Sequence, residues 1–291
     1  MSDANAIIDA WRERMQEWDR FMAELRGGGG GHGHGGHSGH EQAQGQGDRR
    51  ATFIHKPLDP RRTDDAVLNG ILELVSADDE VLDVGGGSGR FAIPLALRAK
   101  HVTVVEPSED SVELLNERVT DFGIENITVI NEAWEDVPEP AADVVLCSLV
   151  LHHVLDAAPF VRKMQQYARK RVVIVEMMET PGAIEMPFYE RVHGSAPTPL
   201  PGLPKILELL WVLEIYPDVT MVEPETAVLD TDRAGVLDHL RRRLSVEEGS
   251  EADDRLQAAA NELLVDIPEG LSVRNAAMRR SAIVSWNPAR A

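Results

Sequence analysis

The chain has one cysteine, Cys147, set inside an apolar run. No intramolecular disulfide can form, so a bridged scaffold is excluded and a reducing, cytoplasmic setting is expected. No apolar stretch reaches the ~18–20 residues that a membrane span needs. The opening MSDANAIIDAW lacks a basic segment leading into an apolar one, so no signal peptide is expected. Basic residues are scarce: 29 Lys and Arg stand against 49 Asp and Glu, a formal net charge of −20 over 291 residues. A surface of that sign repels phosphate backbones and anionic lipid headgroups, which argues against nucleic-acid and membrane partners. The densest basic run, Arg241 to Leu244, reads as the solvated face of a helix.

What is present falls into three parts. Residues 6–26 have the spacing of an amphipathic helix, with Ile8, Trp11, Met15, Trp18, Met22 and Leu25 in an a/d seam. Three heptads are too few for an independent coiled coil, so the favoured expectation is a helix of 1–26 packed on its own domain. A homodimer contact and a lid over the site are the sharper alternatives. Residues 27–49 are rich in glycine and histidine, have no apolar face to bury, and read as a flexible linker. His32, His34, His37 and His40 there could bind Zn²⁺ or Ni²⁺ loosely, but no carboxylate or cysteine ligand is fixed beside them, so no metal centre is assigned. Residues 50–291 read as one globular domain in which strands alternate with helices. The strands are EVLDV, HVTVVEP, ITVINEAW, ADVVLCSL, RVVIVEMM, DVTMVEPE and RRSAIVSW. Their alternation with helices predicts an α/β, doubly wound, mostly parallel seven-stranded sheet with an antiparallel last strand. Residues 181–215 begin with a proline-rich, loop-like stretch and are expected to cover the functional edge of that sheet.

The stretch EVLDVGGGSGRFAIPLA, residues 80–96, holds the strongest motif. Two common glycine loops are missing from it. A dinucleotide fingerprint, G-x-G-x-x-G, fails because Arg90 stands where the third glycine belongs when counting starts at Gly85, and Ser88 interrupts the count from Gly86. A P-loop fails because no Lys-Ser or Lys-Thr follows. What fits is acid-x-G-x-G-x-G: Asp83, Gly85, Gly87 and Gly89. An acid just before the loop repels a pyrophosphate and suits a ligand carrying an ammonium group; S-adenosylmethionine has an ammonium, a sulfonium and no phosphate. Glycines let the backbone approach such a ligand without Cβ atoms in the way. Glu106 ends the next strand, 21 residues after Gly85 (106 − 85), the separation at which a carboxylate receives a ribose diol.

These residues, with the segments VLDVGGGSGR, VTVVEPS, NEAWEDVP, ADVVLCSLVLHHVLD and VVIVE in that order, make the chain resemble the class I S-adenosylmethionine-dependent methyltransferases. The nearest branch is the small-molecule one that includes the ubiquinone and menaquinone methyltransferases. The resemblance spans about Ala66 to Glu179 and implies a Rossmann-like methyltransferase fold with S-adenosyl-L-methionine as cofactor. It implies that Asp83 holds the methionine amino group, that Gly85, Gly86, Gly87 and Gly89 lie along the ligand, and that Glu106, followed by Pro107, receives the ribose. It also implies adenine contacts at Glu132 and Ala133, with Trp134 either stacked there or simply a core or surface residue, and puts Ser148 and Leu149 beside the methyl. The Lys-Pro-Gly-Gly turn of many relatives is missing before the fifth strand.

The fourth strand ends CSLV rather than [ND]-P-P-[YF], which counts against an amide or nucleobase nitrogen as acceptor. The expected function is therefore O- or C-methylation of a small organic molecule. His153 and His193 are the candidate bases, drawn from a wider group of His152, Glu176, Glu179 and Tyr189 near the sheet's carboxyl edge, because imidazole titrates in the useful range. Two other readings stand beside this one. In the first, a catalytically silent cofactor-binding protein acts as a partner or regulatory module through its N-terminal helix. In the second, an NAD oxidoreductase would bind dinucleotide instead.

Overall fold

The computed structural model describes residues 2–26, 59–138, 141–276 and 278–288. The Gly/His-rich segment 27–49, with its four histidines, lies outside the described residues. Five strands supply the parallel part of the sheet: β1 (Glu80–Val84), β2 (His101–Val105), β3 (Ile127–Ile130), β4 (Ala142–Ser148) and β5 (Ala168–Met177). β6 (Asp218–Met221) and β9 (Ser281–Trp286) complete seven strands in the order β3-β2-β1-β4-β5-β9-β6. β9 runs antiparallel to both β5 and β6, as expected of a last strand. The order reverses between β1 and β4, which is where a crevice opens at the carboxyl ends of a doubly wound sheet.

Alternate residues of each strand feed different cores. Leu82, Val84, Val105, Val145, Cys147 and Ile174 face one apolar layer, packed with α5 (Ala157–Tyr167) and α7 (Leu203–Val212). Val81, Val102, Val104, Val144, Leu146 and Val173 face the other, packed with α2 (Ala66–Glu73), α3 (Ala92–Ala96) and α4 (Glu109–Asp121). Near-continuous burial of β1, β4 and β5 is what helices on both faces require. Capping side chains set where the helices begin. Asp65 accepts the Leu68 N–H at the start of α2, and Ser108 accepts the Ser111 N–H at the start of α4. α4 stops at Gly123, whose φ of +63° suits glycine. α3 is only five residues long and holds Pro94, shorter than its apolar pattern suggested.

A third apolar cluster lies beside the sheet. It joins α6 (Met186–His193), α8 (Arg233–Leu244), α9 (Glu251–Leu263) and a hairpin of β7 (Leu264–Ile267) and β8 (Gly270–Val273). α6 and the 3-10 turn before it, Pro181–Glu185, occupy the proline-rich stretch that reads as loop in the sequence. The prolines favour helix starts here: Pro181 and Pro187 each sit in a first turn, where a missing N–H does no harm. Gly194, at φ +77°, ends α6.

The N-terminal helix, α1 (Ser2–Arg26), spans the first and third clusters of the same chain. Trp11, Met15 and Met22 are buried, and Ile8 and Trp18 pack against them. The indole of Trp11 donates to the Val154 carbonyl at 2.8 Å, Arg12 pairs with Asp156, and Arg14 reaches the Pro199 carbonyl. Phe21 meets Tyr189 edge-on. The a/d seam that would pair two copies is thus taken up by contacts within this chain.

Candidate functional site

The site is assembled where β1, β2, β3 and β4 end. β1 delivers Asp83, which is 2% exposed. Among the described residues no donor reaches its carboxylate. Burial, and then the nearby Glu106 charge, push the Asp83 acid up to about 7. A buried carboxylate without a partner is expensive, so this position makes physical sense as a receptor for a cation.

The loop after β1 is held open by backbone geometry. Gly85, Gly87 and Gly89 have φ of +71°, +55° and +87°, values that favour glycine. They differ in what surrounds them. A Cβ on Gly85 would strike Val150, and one on Gly89 would strike Leu115 and Ile93. A Cβ on Gly87 would meet nothing within 4 Å. Gly87 therefore faces open space, where a ligand can lie against the main chain. Gly86 backs onto the Asp83 carboxylate.

Glu106, at the end of β2, is 8% exposed and ties the loop to the sheet. Its Oε2 accepts the Gly87 N–H at 2.9 Å and its Oε1 accepts the Ser108 N–H at 2.9 Å. Each oxygen keeps a lone pair for a hydroxyl donor. Pro107 follows, half-buried. Two supporting contacts had no sequence signal. Arg118 of α4 donates to the carbonyl and hydroxyl of Ser88 at 2.9 and 2.7 Å, and Asn131 donates to the Glu106 carbonyl at 2.8 Å.

The other predicted residues divide. Glu132 is exposed and Ala133 half-buried after β3, close in sequence to Asn131 and so to Glu106. Trp134 is a core residue, 3% exposed. Phe160 and Tyr167 meet it edge-on, and Lys163 lies 4.6 Å from the ring centre. The indole is enclosed by these side chains, with its N–H toward the Phe160 carbonyl at 3.4 Å. Ser148 and Leu149 end β4 half-buried, and Leu149 adopts φ +55°, a strained backbone for a leucine. Cys147, fully buried in β4, has its thiol pushed up by burial and stays neutral.

The two adjacent histidines face opposite environments. His152 is 2% exposed, and its Nδ1 lies 2.8 Å from Oε2 of the wholly buried Glu176. The other Glu176 oxygen accepts the Met177 N–H. His153 is exposed, its ring 4.2 Å from that of His152. His193 does not join them: its Nε2 donates to the Leu244 carbonyl at 2.9 Å in the contact between α6 and α8. Its sequence position after a proline-rich stretch suggested a covering loop, but α6 turns it into packing.

Residues 81–171 match a family model described as a methyltransferase domain. That segment runs from β1 into β5 and contains every residue of the glycine loop and its two acids. This segment is thus similar to a methyltransferase domain. Relatives of the chain include an uncharacterized protein of Haemophilus influenzae, 33% identical over 109 residues, 36% of this chain and 40% of the relative. A probable ribosomal RNA small subunit methyltransferase A of Methanosphaera stadtmanae is 28% identical over 40% of this chain and 42% of its own. A ubiquinone biosynthesis O-methyltransferase of Rickettsia canadensis is 29% identical over 33% of this chain and 41% of its own. The chain thus spans about two fifths of the length of the curated relatives it matches. A solved structure of a putative methyltransferase from Bacillus halodurans covers 79% of this chain and all of its own, with a TM-score of 0.54 at 16% identity. That of a SAM-dependent methyltransferase from Geobacter sulfurreducens, in complex with S-adenosyl-L-homocysteine, covers 81% of this chain and 95% of its own, with a TM-score of 0.50 at 17% identity. These likenesses extend the methyltransferase-domain fold well beyond residues 81–171.

Proposed function

We propose that this chain is an S-adenosylmethionine-dependent methyltransferase whose acceptor is a small organic molecule methylated on oxygen or carbon. One observation carries the reading: the Asp83 carboxylate, buried and without a donor among the described residues, lies behind a loop whose Gly87 opens to empty space. That arrangement fits the amino group of S-adenosylmethionine and offers nothing to a phosphate. The solved Geobacter sulfurreducens methyltransferase of like fold holds the corresponding product, S-adenosyl-L-homocysteine.

Bound S-adenosylmethionine supplies an electrophilic methyl group on a sulfonium. The protein's part is positional. Asp83 would hold the ammonium, while Gly85, Gly86 and Gly87 let the main chain close on the ligand and Gly89 packs the loop onto α4. Glu106 would take the ribose hydroxyls beside Pro107. Glu132 and Ala133 would edge the adenine, and Ser148 and Leu149 would border the methyl. His153 is the group we assign to remove a proton from the acceptor, since it is exposed at the carboxyl edge. His152, fixed against Glu176, sets its neighbour's position.

The net charge of −20 and the CSLV ending of β4 support a small acceptor over RNA, although several of the relatives carry ribosomal RNA methyltransferase names. The test is calorimetric titration of the full chain with S-adenosylmethionine and S-adenosylhomocysteine, followed by turnover assays. Saturable binding well below millimolar is expected, with S-adenosylhomocysteine released on addition of one of a panel of phenols, quinols and carboxylic acids. No binding would overturn the cofactor assignment. Binding without turnover on the panel would favour a silent cofactor-binding protein, and turnover on structured RNA would replace the acceptor class.

A further inference from the structure

The turn that follows β3 is held by a lysine in an uncommon way. Lys163, on α5, directs its three N–H donors at that turn's main chain. Its Nζ donates to the Trp134 carbonyl, to the Glu135 carbonyl at 3.0 Å and to the Val137 carbonyl at 2.9 Å. Among the described residues it joins no ion pair, although the chain carries 49 acids and Glu135 and Asp136 stand on the turn itself. Burial pulls the Lys163 pKa below the usual lysine range, and the Glu135 and Asp136 charges oppose that pull. The ammonium is thus committed to carbonyl dipoles in a partly dry place, where charge-assisted bonds are stronger than in water.

The same stripe of α5 closes on the turn from the side. Phe160, Lys163 and Tyr167 recur at steps of three and four along the helix. Phe160 and Tyr167 meet the Trp134 ring edge-on, with ring centres 6.2 and 5.7 Å away, and the Lys163 ammonium lies 4.6 Å from the Trp134 ring centre. Val137 is buried at the far end of the turn, and Asp136 donates its N–H to the Ala133 carbonyl at 3.0 Å. The carbonyls of Ala133, Trp134, Glu135 and Val137 are therefore all taken up by the protein. The Ala133 N–H, by contrast, meets no acceptor among the described residues, and Glu132 next to it is exposed. A free N–H beside a carboxylate is the complement of the adenine edge, which presents a ring-nitrogen acceptor beside an amino donor.

We infer that Lys163 is a positioning residue for the adenine of S-adenosylmethionine: by tying three carbonyls of the turn to α5, it holds the Ala133 N–H and the Glu132 carboxylate at the adenine edge. This rests on the S-adenosylmethionine reading and adds a determinant of cofactor recognition outside the glycine loop. Lys163 acts through the turn and not on the ligand itself.

The test compares S-adenosylhomocysteine with S-inosylhomocysteine, whose purine carries an oxygen in place of the amino group and a proton on the neighbouring ring nitrogen. Donor and acceptor are thereby exchanged at that edge. Affinities of the full chain are read by calorimetry, with the melting temperature of each variant alongside. The parent is expected to favour S-adenosylhomocysteine by about tenfold or more. Lys163→Met is expected to cut that preference to about threefold or less, through lost S-adenosylhomocysteine affinity, with S-inosylhomocysteine affinity changed by no more than about threefold. Lys163→Arg, which keeps a charged multiple donor, is expected to retain most of the preference. A merely structural lysine would weaken both ligands alike or lower only the melting temperature, and either result overturns the proposal. So does a parent that binds the two ligands equally. Should Lys163→Met fail to fold, Lys163→Gln is read in the same way, and an unchanged preference there overturns the proposal. A parent that binds neither ligand sinks the cofactor reading and this inference with it. A parent that binds S-adenosylhomocysteine and keeps its preference in Lys163→Met sinks the role of Lys163 alone.

Discussion

Asp83 and Glu106 are two buried acids on neighbouring strands, and the charge of the second adds to the burial that keeps the first protonated up to about pH 7. Glu106 has two N–H donors to stabilise it, whereas Asp83 has none among the described residues. The pair is therefore divided into one carboxylate that already shapes the loop and one left for a cation.

A pH dependence follows. Asp83 has its folded pKa raised from 3.8 to about 7, so the folded chain binds more protons than the unfolded one across that window. Stability of the ligand-free chain should accordingly fall as pH rises from about 4 to 7, for this group's part. Asp83→Asn removes the effect. The variant is expected to melt higher than the parent at pH 8, to differ less at pH 5, and to bind S-adenosylmethionine about a hundredfold more weakly, ~2.7 kcal/mol. Differential scanning calorimetry at the two pH values, with titration at pH 7.5, checks all three. A parent that melts as high as Asp83→Asn at pH 8 would remove the case for a stored charge.

Cofactor affinity should itself vary with pH. Below about pH 7 a proton must leave Asp83 before it can hold a cation, so affinity is expected to drop up to tenfold per unit. Above about pH 8 an α-amino group loses its charge and affinity declines again. Titrations from pH 5.5 to 9 should trace a maximum between these limits in the parent chain. The acid limb should be missing in Asp83→Asn.

Two glycine substitutions should separate folding from binding. Gly89→Ala drives a methyl group into Leu115 and Ile93, so it should lower the melting temperature markedly. Gly87→Ala has room, and its positive φ costs ~1–2 kcal/mol. Gly87→Ala is expected to fold with a modest loss of stability yet bind S-adenosylhomocysteine at least tenfold more weakly, because its methyl group occupies ligand space. Equal affinity in Gly87→Ala and parent would show that the open side of the loop is not where the ligand lies.

The histidine pair offers a fourth comparison. Glu176→Ala leaves His152 buried without its carboxylate and should destabilise the fold by about 3 kcal/mol or more. His153→Gln alters an exposed ring and should leave the melting temperature within a degree or two while lowering kcat. Urea unfolding and steady-state kinetics on the same preparations would show whether the two roles separate.

The regular alternation of buried strands and helices made the sheet, its order of elements and its antiparallel last strand legible from the chain alone. The glycine loop was legible for a related reason: Asp83, Gly85, Gly87 and Gly89 are local in sequence and their chemistry is unusual. What escaped the sequence is set by long-range packing. His152 and His153 are neighbours of identical type, and only the 3-10 turn Leu151–His153 decides which faces Glu176. Trp134 is placed by Phe160 and Tyr167, more than twenty residues away. The proline-rich stretch hides α6 because prolines at helix starts and prolines in loops look alike in sequence. The β7–β8 hairpin has short, half-buried strands with little alternation to reveal it.

The packing of α1 has a temporal side as well. Trp11 docks on Val154, 143 residues further along, and Arg14 on Pro199, 185 further. At roughly 5–20 residues per second on the ribosome, the docking surface is made on the order of ten seconds after the helix itself. α1 must therefore wait, with Trp11 and Trp18 uncovered, until the surface that receives it has been made.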